Sequence, residues 1–294
     1  MSHPHYSRTF YQAVWFHWAK RLATFIPRRI LRWVGYQAGL IYSHFHSAKV
    51  QVVKKNLALI HASTTFQNAQ KVFGKFGACL ADYFYLSRYA NEKKIELIKK
   101  KKGYEYLVSA YQKKQGAILV TAHLGLFELG GVVMNELGFP MAVLTLPEPN
   151  QALTQWRANY RKLWKAETIT IGDDPFSFLK VLNYLKAGNF VAALIDRPSS
   201  QKNIPVRLPH GEAFFSGNIL LIALLAQCPV IPAVAVAEST GFYEMEAFEP
   251  FYIENQGTRE ETIAYYTQKI ADVLLPTICH HYDQWFQFVS LSSV

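Results

Sequence analysis

The stretch that decides the fold is GAILVTAHLGLFELGGVVMNELG, residues 116–138. Its first part, GAILVT, is a short and uninterrupted apolar run, which is typical of a strand buried on both faces of a parallel sheet. Its last part, LFELGGVVMNELG, has the apolar spacing of a helix and a glycine near its end. A strand followed directly by a helix predicts one β–α unit of an α/β fold.

The same alternation of strand and helix continues toward the carboxyl terminus. Apolar runs predict further strands in MAVLTL, ETITIG, NFVAALI and PVIPAVAV, and YEMEAFEPFYI is typical of an edge strand. The lysine run Lys99–Lys102 is predicted to be a solvated helix end or loop. We therefore predict an α/β fold class with a mostly parallel central sheet flanked by helices, in a single domain over residues 49–294.

His123 lies between this first strand and helix, and Glu128 lies near the start of the helix. On one continuous helix, residues five apart lie about 140° apart around the axis, so these two side chains could not cooperate. They could meet if His123 lay in the loop after the strand and Glu128 in the first helical turn, with Gly125 letting the loop fold back. Active sites of open α/β sheets lie at the carboxyl ends of the strands.

A histidine and a carboxylate in this place indicate acid–base chemistry. A neutral imidazole can take a proton from a hydroxyl, and a carboxylate on its other nitrogen fixes the tautomer and stabilises the imidazolium. The substrate's own hydroxyl would then take the place of a serine nucleophile, as direct acyl transfer from a thioester to an alcohol requires. The plainer alternative is a histidine at the edge of the core whose ring is satisfied by backbone groups.

Charge is distributed unevenly along the chain. Residues 1–81 contain eleven Lys and Arg and no Asp or Glu, whereas the remainder has twenty of the former and twenty-one of the latter. This asymmetry predicts a polyanionic partner for the amino-terminal part, either an anionic membrane surface or nucleic acid. The three cysteines have no metal-like spacing and fit a reducing compartment.

Aromatic residues in the amino-terminal part favour the membrane. Trp and Tyr prefer the boundary between water and lipid, and here they alternate with basic residues at helical spacing. No apolar run reaches the length of a spanning helix, and no secretory signal pattern is present. We predict an amphipathic, membrane-associating helical region over residues 1–48, with a pair of core helices as the alternative. A nucleic-acid partner is not expected, because no nucleic-acid-binding motif accompanies the charge. The first apolar stripe consists of Tyr11, Val14, Trp15, Trp18, Leu22, Phe25 and Ile26.

These motifs resemble those of the bacterial lipid A biosynthesis acyltransferases, the late or secondary enzymes within the wider H-x4-D/E acyltransferases. The block TAHLGLFELGG is similar to the family's signature, and further similar blocks follow the family's order over nearly the whole chain. They are VVKKNLALI, DYF, NQALTQWRANYR, GNFVAALIDRP, LPHGEAFFSGN, CPVIPAV and YDQWFQF.

The resemblance implies a function and a location. It implies transfer of a fatty acyl chain from an acyl carrier protein or acyl-CoA donor to a hydroxyl of a glycolipid acceptor, such as a lipid A precursor. It places the enzyme on the cytoplasmic face of the bacterial inner membrane as a peripheral or monotopic protein. It implies neither a cofactor nor a metal.

The resemblance also assigns roles to residues. His123 is the expected general base and Glu128 its partner. Arg161, with Arg157 beside it, is expected to bind an anionic group of the acceptor or carrier. The remaining expected substrate-site residues are Asp196, which could orient Arg161 or Arg197, Arg197 itself, and Gly125, which shapes the loop.

Other functions stay open at this point. The region after Asp196 lacks the family's common Phe-Phe-Gly form, so a relative acting on another amphiphile or a carrier-bound product is an alternative. A metal-dependent hydrolase would use His123, Asp196 and His210, although their spacing is unlike that of zinc ligands. A third alternative is a non-enzymatic membrane-binding protein that retains the fold.

Overall fold

A computed structural model of the chain describes residues 26–292, apart from residues 88, 90, 147–150, 163, 172–175 and 199–202. The predicted amino-terminal helical region over residues 1–48 is therefore described only from residue 26 onward, and its first apolar stripe lies almost entirely outside the described residues.

Seven strands of the described chain form a central sheet. They are β1 (Ile98–Lys102), β2 (Ala117–Thr121), β3 (Met141–Thr145), β4 (Glu167–Thr170), β5 (Phe190–Leu194), β8 (Val230–Ala237) and β9 (Tyr243–Ala247). Their order across the sheet is β1–β9–β8–β2–β5–β3–β4. Neighbouring strands are parallel, except for the antiparallel pair β8 and β9. The predicted α/β class with a mostly parallel central sheet is confirmed.

Helices cover both the sheet and each other. Among the described residues they are α1 (Arg28–Phe45), α2 (Ser47–Ala58), α3 (Phe66–Leu86), α4 (Asn91–Ile95), α5 (Tyr104–Gln112), α6 (Leu129–Glu136), α7 (Gln151–Lys162), α8 (Phe176–Lys186), α9 (Asn218–Ala226) and α10 (Arg259–His280). A 3₁₀ turn (Tyr282–Gln284) follows α10 and leads into an irregular segment over residues 285–292, which we call the carboxyl-terminal tail.

Strand β2 lies at the centre of the sheet, between β5 and β8. Its residues Ala117, Ile118 and Val120 are completely buried, as expected of a strand covered on both faces. The apolar run that predicted this strand is thus explained by its position, and the segment that follows it emerges at the carboxyl edge of the sheet.

The lysine run forms an edge strand and not the predicted helix end or loop. Residues Ile98–Lys102 are β1, which pairs in parallel with β9, so YEMEA is an internal strand rather than the edge. The Lys102 ammonium pairs with Glu244 at 2.9 Å, and Lys100 with Glu238 at 2.6 Å. Lysines on an edge strand discourage the pairing of that strand with another chain.

A separate hairpin was not predicted. Strands β6 (Asn203–Leu208) and β7 (Gly211–Ser216) pair with each other in an antiparallel manner outside the main sheet. The side chain of Gln268 on α10 bonds the backbone N–H and carbonyl of Arg207, which fixes the hairpin against this helix.

Helix α1 packs very closely on α3. A Cβ added at Gly35 would lie 2.4 Å from the Gly77 carbonyl oxygen, and one at Gly39 would lie 2.1 Å from that of Phe73. The close approach of the two backbones therefore depends on glycine. The first turns of α1 are also anchored electrostatically, because Arg28 and Arg32 both bind the fully buried carboxylate of Asp82.

The opposite side of α1 carries large apolar residues that are exposed. Trp33 is 63% exposed and Phe45 is 80% exposed, and both belong to a stripe at helical spacing. Within residues 26–292 as described, no helix has the length and apolar character needed to cross a membrane. The boundary near residue 48 stays a prediction. The stripe, which we call the outer stripe of α1, consists of Ile30, Trp33, Val34, Ile41 and Phe45.

Candidate active site

His123 lies two residues after the end of β2, at the carboxyl edge of the sheet as predicted. The loop turns at Gly125, whose φ of +58° lies in the left-handed region. A Cβ at Gly125 would lie 2.2 Å from the Ala235 carbonyl oxygen, so only glycine fits here. Because its N–H donates to the Gln284 carbonyl at 2.9 Å, Gly125 shapes the loop and does not offer this N–H to a substrate.

The carboxylate that contacts His123 is Asp196 and not Glu128. The Nδ1 atom of His123 lies 2.7 Å from Oδ1 of Asp196, and the His123 backbone N–H donates to Oδ2 at 2.8 Å. Asp196 follows β5, the parallel neighbour of β2, so the two strand ends bring the side chains together. The expected direct bond between His123 and Glu128 is corrected accordingly.

Asp196 lies at the centre of a network of hydrogen bonds. Besides the two bonds from His123, it accepts one from Nε1 of Trp285 at 2.9 Å and one from Nε2 of Gln287. Burial alone would raise the pKa of Asp196, but the His123 ring, the Arg197 charge and the Trp285 bond outweigh burial and hold this pKa below its usual value. Asp196 is therefore ionised at neutral pH and acts only as an acceptor.

This arrangement fixes the tautomer of His123. Because an ionised carboxylate can only accept, Nδ1 carries the ring proton, and the lone pair of Nε2 is left to accept another. Burial lowers the pKa of His123, Asp196 opposes this, and the positive charges of Arg197 and Arg157 lower the pKa further. The net pKa lies below its ordinary value of 6.5, so the imidazole is neutral at neutral pH and suited to act as a base.

A pH profile tests this assignment. The active form has a neutral His123, and its lowered pKa keeps it neutral throughout the neutral range. We expect kcat/KM for acyl transfer to be constant above about pH 6.5 and to fall below it as the ring is protonated. A profile that stays flat down to the pH at which the protein unfolds would contradict a titrating base at this site.

Glu128 instead binds Arg161 as a buried ion pair. Nη2 and Nε of Arg161 donate to the two carboxylate oxygens of Glu128 at 2.8 and 3.2 Å. The Arg161 side chain is only 5% exposed and the Glu128 side chain only 8%. Glu128 directly precedes α6, and Arg161 lies in the last turn of α7, so the pair joins two helices. The predicted pairing of Arg161 with Asp196 is corrected, because Glu128 is the carboxylate that Arg161 binds.

The stability of variants tests the role of this ion pair. Glu128→Gln leaves the Arg161 charge buried without its counterion, so we expect the free energy of unfolding to fall by about 3–5 kcal/mol. The double variant Glu128→Leu with Arg161→Met removes both charges and should recover most of that loss. Urea unfolding of the three proteins measures this. If the double variant is no more stable than the single one, the uncompensated charge is not the cause.

Arg157 and Arg197 lie close to His123 from two different elements. Arg157 is on α7, one turn before Arg161, and Arg197 follows Asp196 directly. Arg197 donates from Nε to Gln287 at 2.9 Å and from Nη2 to the Phe286 carbonyl at 2.8 Å, so its orientation is fixed. The positive charges of both side chains lower the pKa of the His123 imidazole. The predicted binding of an anionic group by Arg157 and the predicted place of Arg197 in the substrate site stay predictions, whereas Arg161 is occupied by Glu128.

The ligand set of the alternative metal-dependent hydrolase is not assembled. His123 and Asp196 contact each other, but His210 is exposed in the turn between β6 and β7. Across the part of the chain that the structure describes, no three His, Cys, Asp or Glu residues are grouped to hold a metal ion.

Two contributors to the site, Trp285 and Gln287, were not assigned any role from the sequence. They belong to the YDQWFQF block in the tail, about 90 residues after Asp196 along the chain. The block was visible as part of the family resemblance, but only the three-dimensional structure reveals that its N–H groups point at Asp196.

The chain matches a known protein family. The profile of the family described as "Bacterial lipid A biosynthesis acyltransferase" matches residues 1–291, which is almost the whole chain. Comparison with curated proteins gave no match. Because this match extends along almost its whole length, the chain belongs to the bacterial lipid A biosynthesis acyltransferases.

Proposed function

We propose that this protein transfers a fatty acyl chain from an acyl thioester, carried by acyl carrier protein or CoA, to a hydroxyl of a glycolipid acceptor such as a lipid A precursor. The observation that carries this proposal is the neutral, oriented imidazole of His123, with Nδ1 bound to Asp196 and Nε2 able to accept a proton. Family membership supplies the reaction class, because the family consists of acyltransferases.

In this mechanism, Nε2 of His123 takes the proton of the acceptor hydroxyl as its oxygen attacks the thioester carbonyl. Asp196 stabilises the imidazolium that forms, as in other His–carboxylate pairs. The tetrahedral intermediate then collapses, the C–S bond breaks, and the imidazolium returns its proton to the departing thiolate. The products are the ester and a free thiol, and His123 is neutral again.

The two arginines beside the imidazole would serve binding. Arg157 and Arg197 add positive charge where a phosphate of the acceptor or of the phosphopantetheine arm would lie, and guanidinium groups bind phosphate by charge-assisted hydrogen bonds. The Gly125 N–H is not available to the oxyanion, because it donates to the backbone carbonyl of Gln284. A charged arginine near His123 is therefore our candidate for stabilising the oxyanion.

The lipid content of cells tests the proposed reaction. Lipid mass spectrometry of cells with and without the gene should reveal one glycolipid whose mass differs by one acyl group. The size of the difference identifies the acyl chain, and the shifted species identifies the acceptor. Identical lipid profiles under conditions where the protein is made would contradict the proposed function.

We further propose that the protein works on the cytoplasmic face of the inner membrane as a peripheral or monotopic enzyme. The outer stripe of α1 faces away from the protein, while Arg28 and Arg32 hold the inner side of the same helix to Asp82. An exposed Trp at the lipid–water boundary and a basic amino-terminal part are both favourable at an anionic surface.

Charged substitutions in the outer stripe test this docking. Trp33→Glu with Ile41→Glu removes roughly 3 kcal/mol of apolar transfer energy, which predicts a roughly hundredfold weaker partition to anionic vesicles. The matched control is Leu225→Glu with Tyr265→Glu, which changes two comparably exposed apolar residues on α9 and α10. Point substitutions are preferable to deletion of α1, which would leave Asp82 buried without Arg28 and Arg32. Equal partition of both double variants in vesicle sedimentation would contradict docking through α1.

A further inference from the structure

The carboxyl-terminal tail supplies half of the hydrogen bonds that the Asp196 carboxylate accepts. Two come from His123, and the other two come from Nε1 of Trp285 and Nε2 of Gln287. Gln287 also donates to the Asp196 backbone carbonyl at 2.7 Å. Both tail residues are 1% exposed, so these bonds do not compete with bulk water.

The tail is itself held in register with the His123 loop. The Phe286 N–H donates to the His123 carbonyl at 2.8 Å, and Leu124 forms an antiparallel bridge with Trp285. The loop and the tail are therefore joined by backbone contacts, and a shift of the tail would disturb both the imidazole and its carboxylate.

Asn56, a buried residue of α2, holds the continuation of the tail. Its side-chain amide donates to the Gln287 carbonyl at 3.0 Å and to the Val289 carbonyl at 2.7 Å. The side-chain oxygen of Asn56, Oδ1, accepts a hydrogen bond from the Leu291 N–H at 3.1 Å. One side chain thus satisfies three backbone groups of an irregular segment.

We propose that Trp285 and Gln287 are positioning residues for the His123–Asp196 pair, and that Asn56 positions them in turn by holding the tail; the catalytic meaning of this inference rests on the proposed acyl transfer. Hydrogen-bond donors on a carboxylate disperse its negative charge and fix its orientation. Removing a donor leaves more of that charge to stabilise the imidazolium and lets the carboxylate turn.

The expected consequence has a definite direction. The charged groups that face His123 are Asp196, Arg197 and Arg157. Loss of the Trp285 donor strengthens the pull of Asp196 on the imidazolium and leaves the two arginines in place. The titration midpoint of His123 should then move to higher pH. The turnover number should nevertheless fall roughly tenfold, because the carboxylate can turn and no longer holds the imidazole in one orientation.

Two tryptophan variants test this with matched cavities. Trp285→Phe removes the donor to Asp196, whereas Trp164→Phe removes an equally buried indole whose N–H has no hydrogen-bond partner among the described residues. NMR titration of the His123 ring needs no substrate, so its result does not depend on the proposed function. We expect an upward shift of the midpoint in Trp285→Phe alone. The same midpoint in both variants would overturn the role of Trp285.

A glutamine pair gives a second test if Trp285→Phe fails to fold. Gln287→Met removes the bonds to the carboxylate and the backbone carbonyl of Asp196 and one of the bonds that orient Arg197. Gln284→Met removes two bonds to the Ala237 backbone from the same part of the chain. A changed titration of His123 in Gln287→Met, and an unchanged one in Gln284→Met, supports the proposal. Equal effects of the two variants would overturn the role of Gln287.

The part played by Asn56 is tested by a double-mutant cycle. If Asn56 acts through the tail, Asn56→Ala shifts the His123 midpoint in the same direction as Trp285→Phe, and the two shifts are less than additive in the double variant. If Asn56→Ala lowers thermal stability and leaves the midpoint unchanged, the assignment of Asn56 as a positioning residue is overturned.

Discussion

Replacing His123 by alanine should lower kcat/KM for acyl transfer by about 10²–10⁴-fold, the usual contribution of a general base. The fold should survive, because the His123 backbone N–H, Trp285 and Gln287 still donate to the buried Asp196 carboxylate. The measurement is the rate of ester formation by mass spectrometry, with circular dichroism to verify folding.

His210→Ala is the matched control for this variant. His210 is exposed in the β6–β7 turn, and it would be a ligand only in the metal-dependent alternative. We expect its activity to equal that of the unchanged protein. Substantial turnover in His123→Ala would refute the role of His123, and a large loss in His210→Ala would revive the metal-dependent alternative.

Asp196→Asn should cause a loss on the order of 10⁴-fold in kcat, because an amide cannot reliably hold the imidazole in the tautomer with a free Nε2. It also brings its own N–H₂ group toward the donors of His123, Trp285 and Gln287. Heteronuclear NMR of the His123 ring nitrogens reports the tautomer directly, and steady-state kinetics reports the loss.

Glu128→Gln is the contrasting variant for this experiment. Because Glu128 binds Arg161 and not His123, its substitution should change stability much more than the turnover of the folded fraction. The opposite pattern, with a normal rate in Asp196→Asn and a loss of several orders of magnitude in folded Glu128→Gln, would identify Glu128 as the carboxylate that supports the base.

The location of the site could be predicted from the sequence because it depends on local patterns. The run GAILVT predicts a central buried strand, and the glycines after it predict a turn, so His123 at the carboxyl edge follows from residues that are neighbours in the chain. Long-range charge pairing could not be predicted in the same way. Two carboxylates, Glu128 and Asp196, could each pair with His123 or Arg161. The pairing of β2 with β5 brings Asp196 to His123, and the position of α7 brings Arg161 to Glu128.

The lysine run illustrates a different limit. Four consecutive lysines carry no apolar periodicity, so neither a strand nor a helix is indicated by the run itself. The run is a strand because its backbone pairs with β9, where Glu244 and Glu246 also supply partners for its lysines, and these residues are more than 130 positions away. The role of Asn56 was hidden for the same reason, since its partners lie at the other end of the chain.

One reconstituted assay tests the central claim most directly. The purified protein on anionic vesicles is given an acyl thioester and a glycolipid acceptor with a free hydroxyl, and thiol release and acceptor mass are measured together. We predict one thiol released for each acceptor that gains one acyl group, and neither product with His123→Ala. Thiol release with free fatty acid and an unchanged acceptor, or equal yields from both proteins, would contradict acyl transfer by this imidazole.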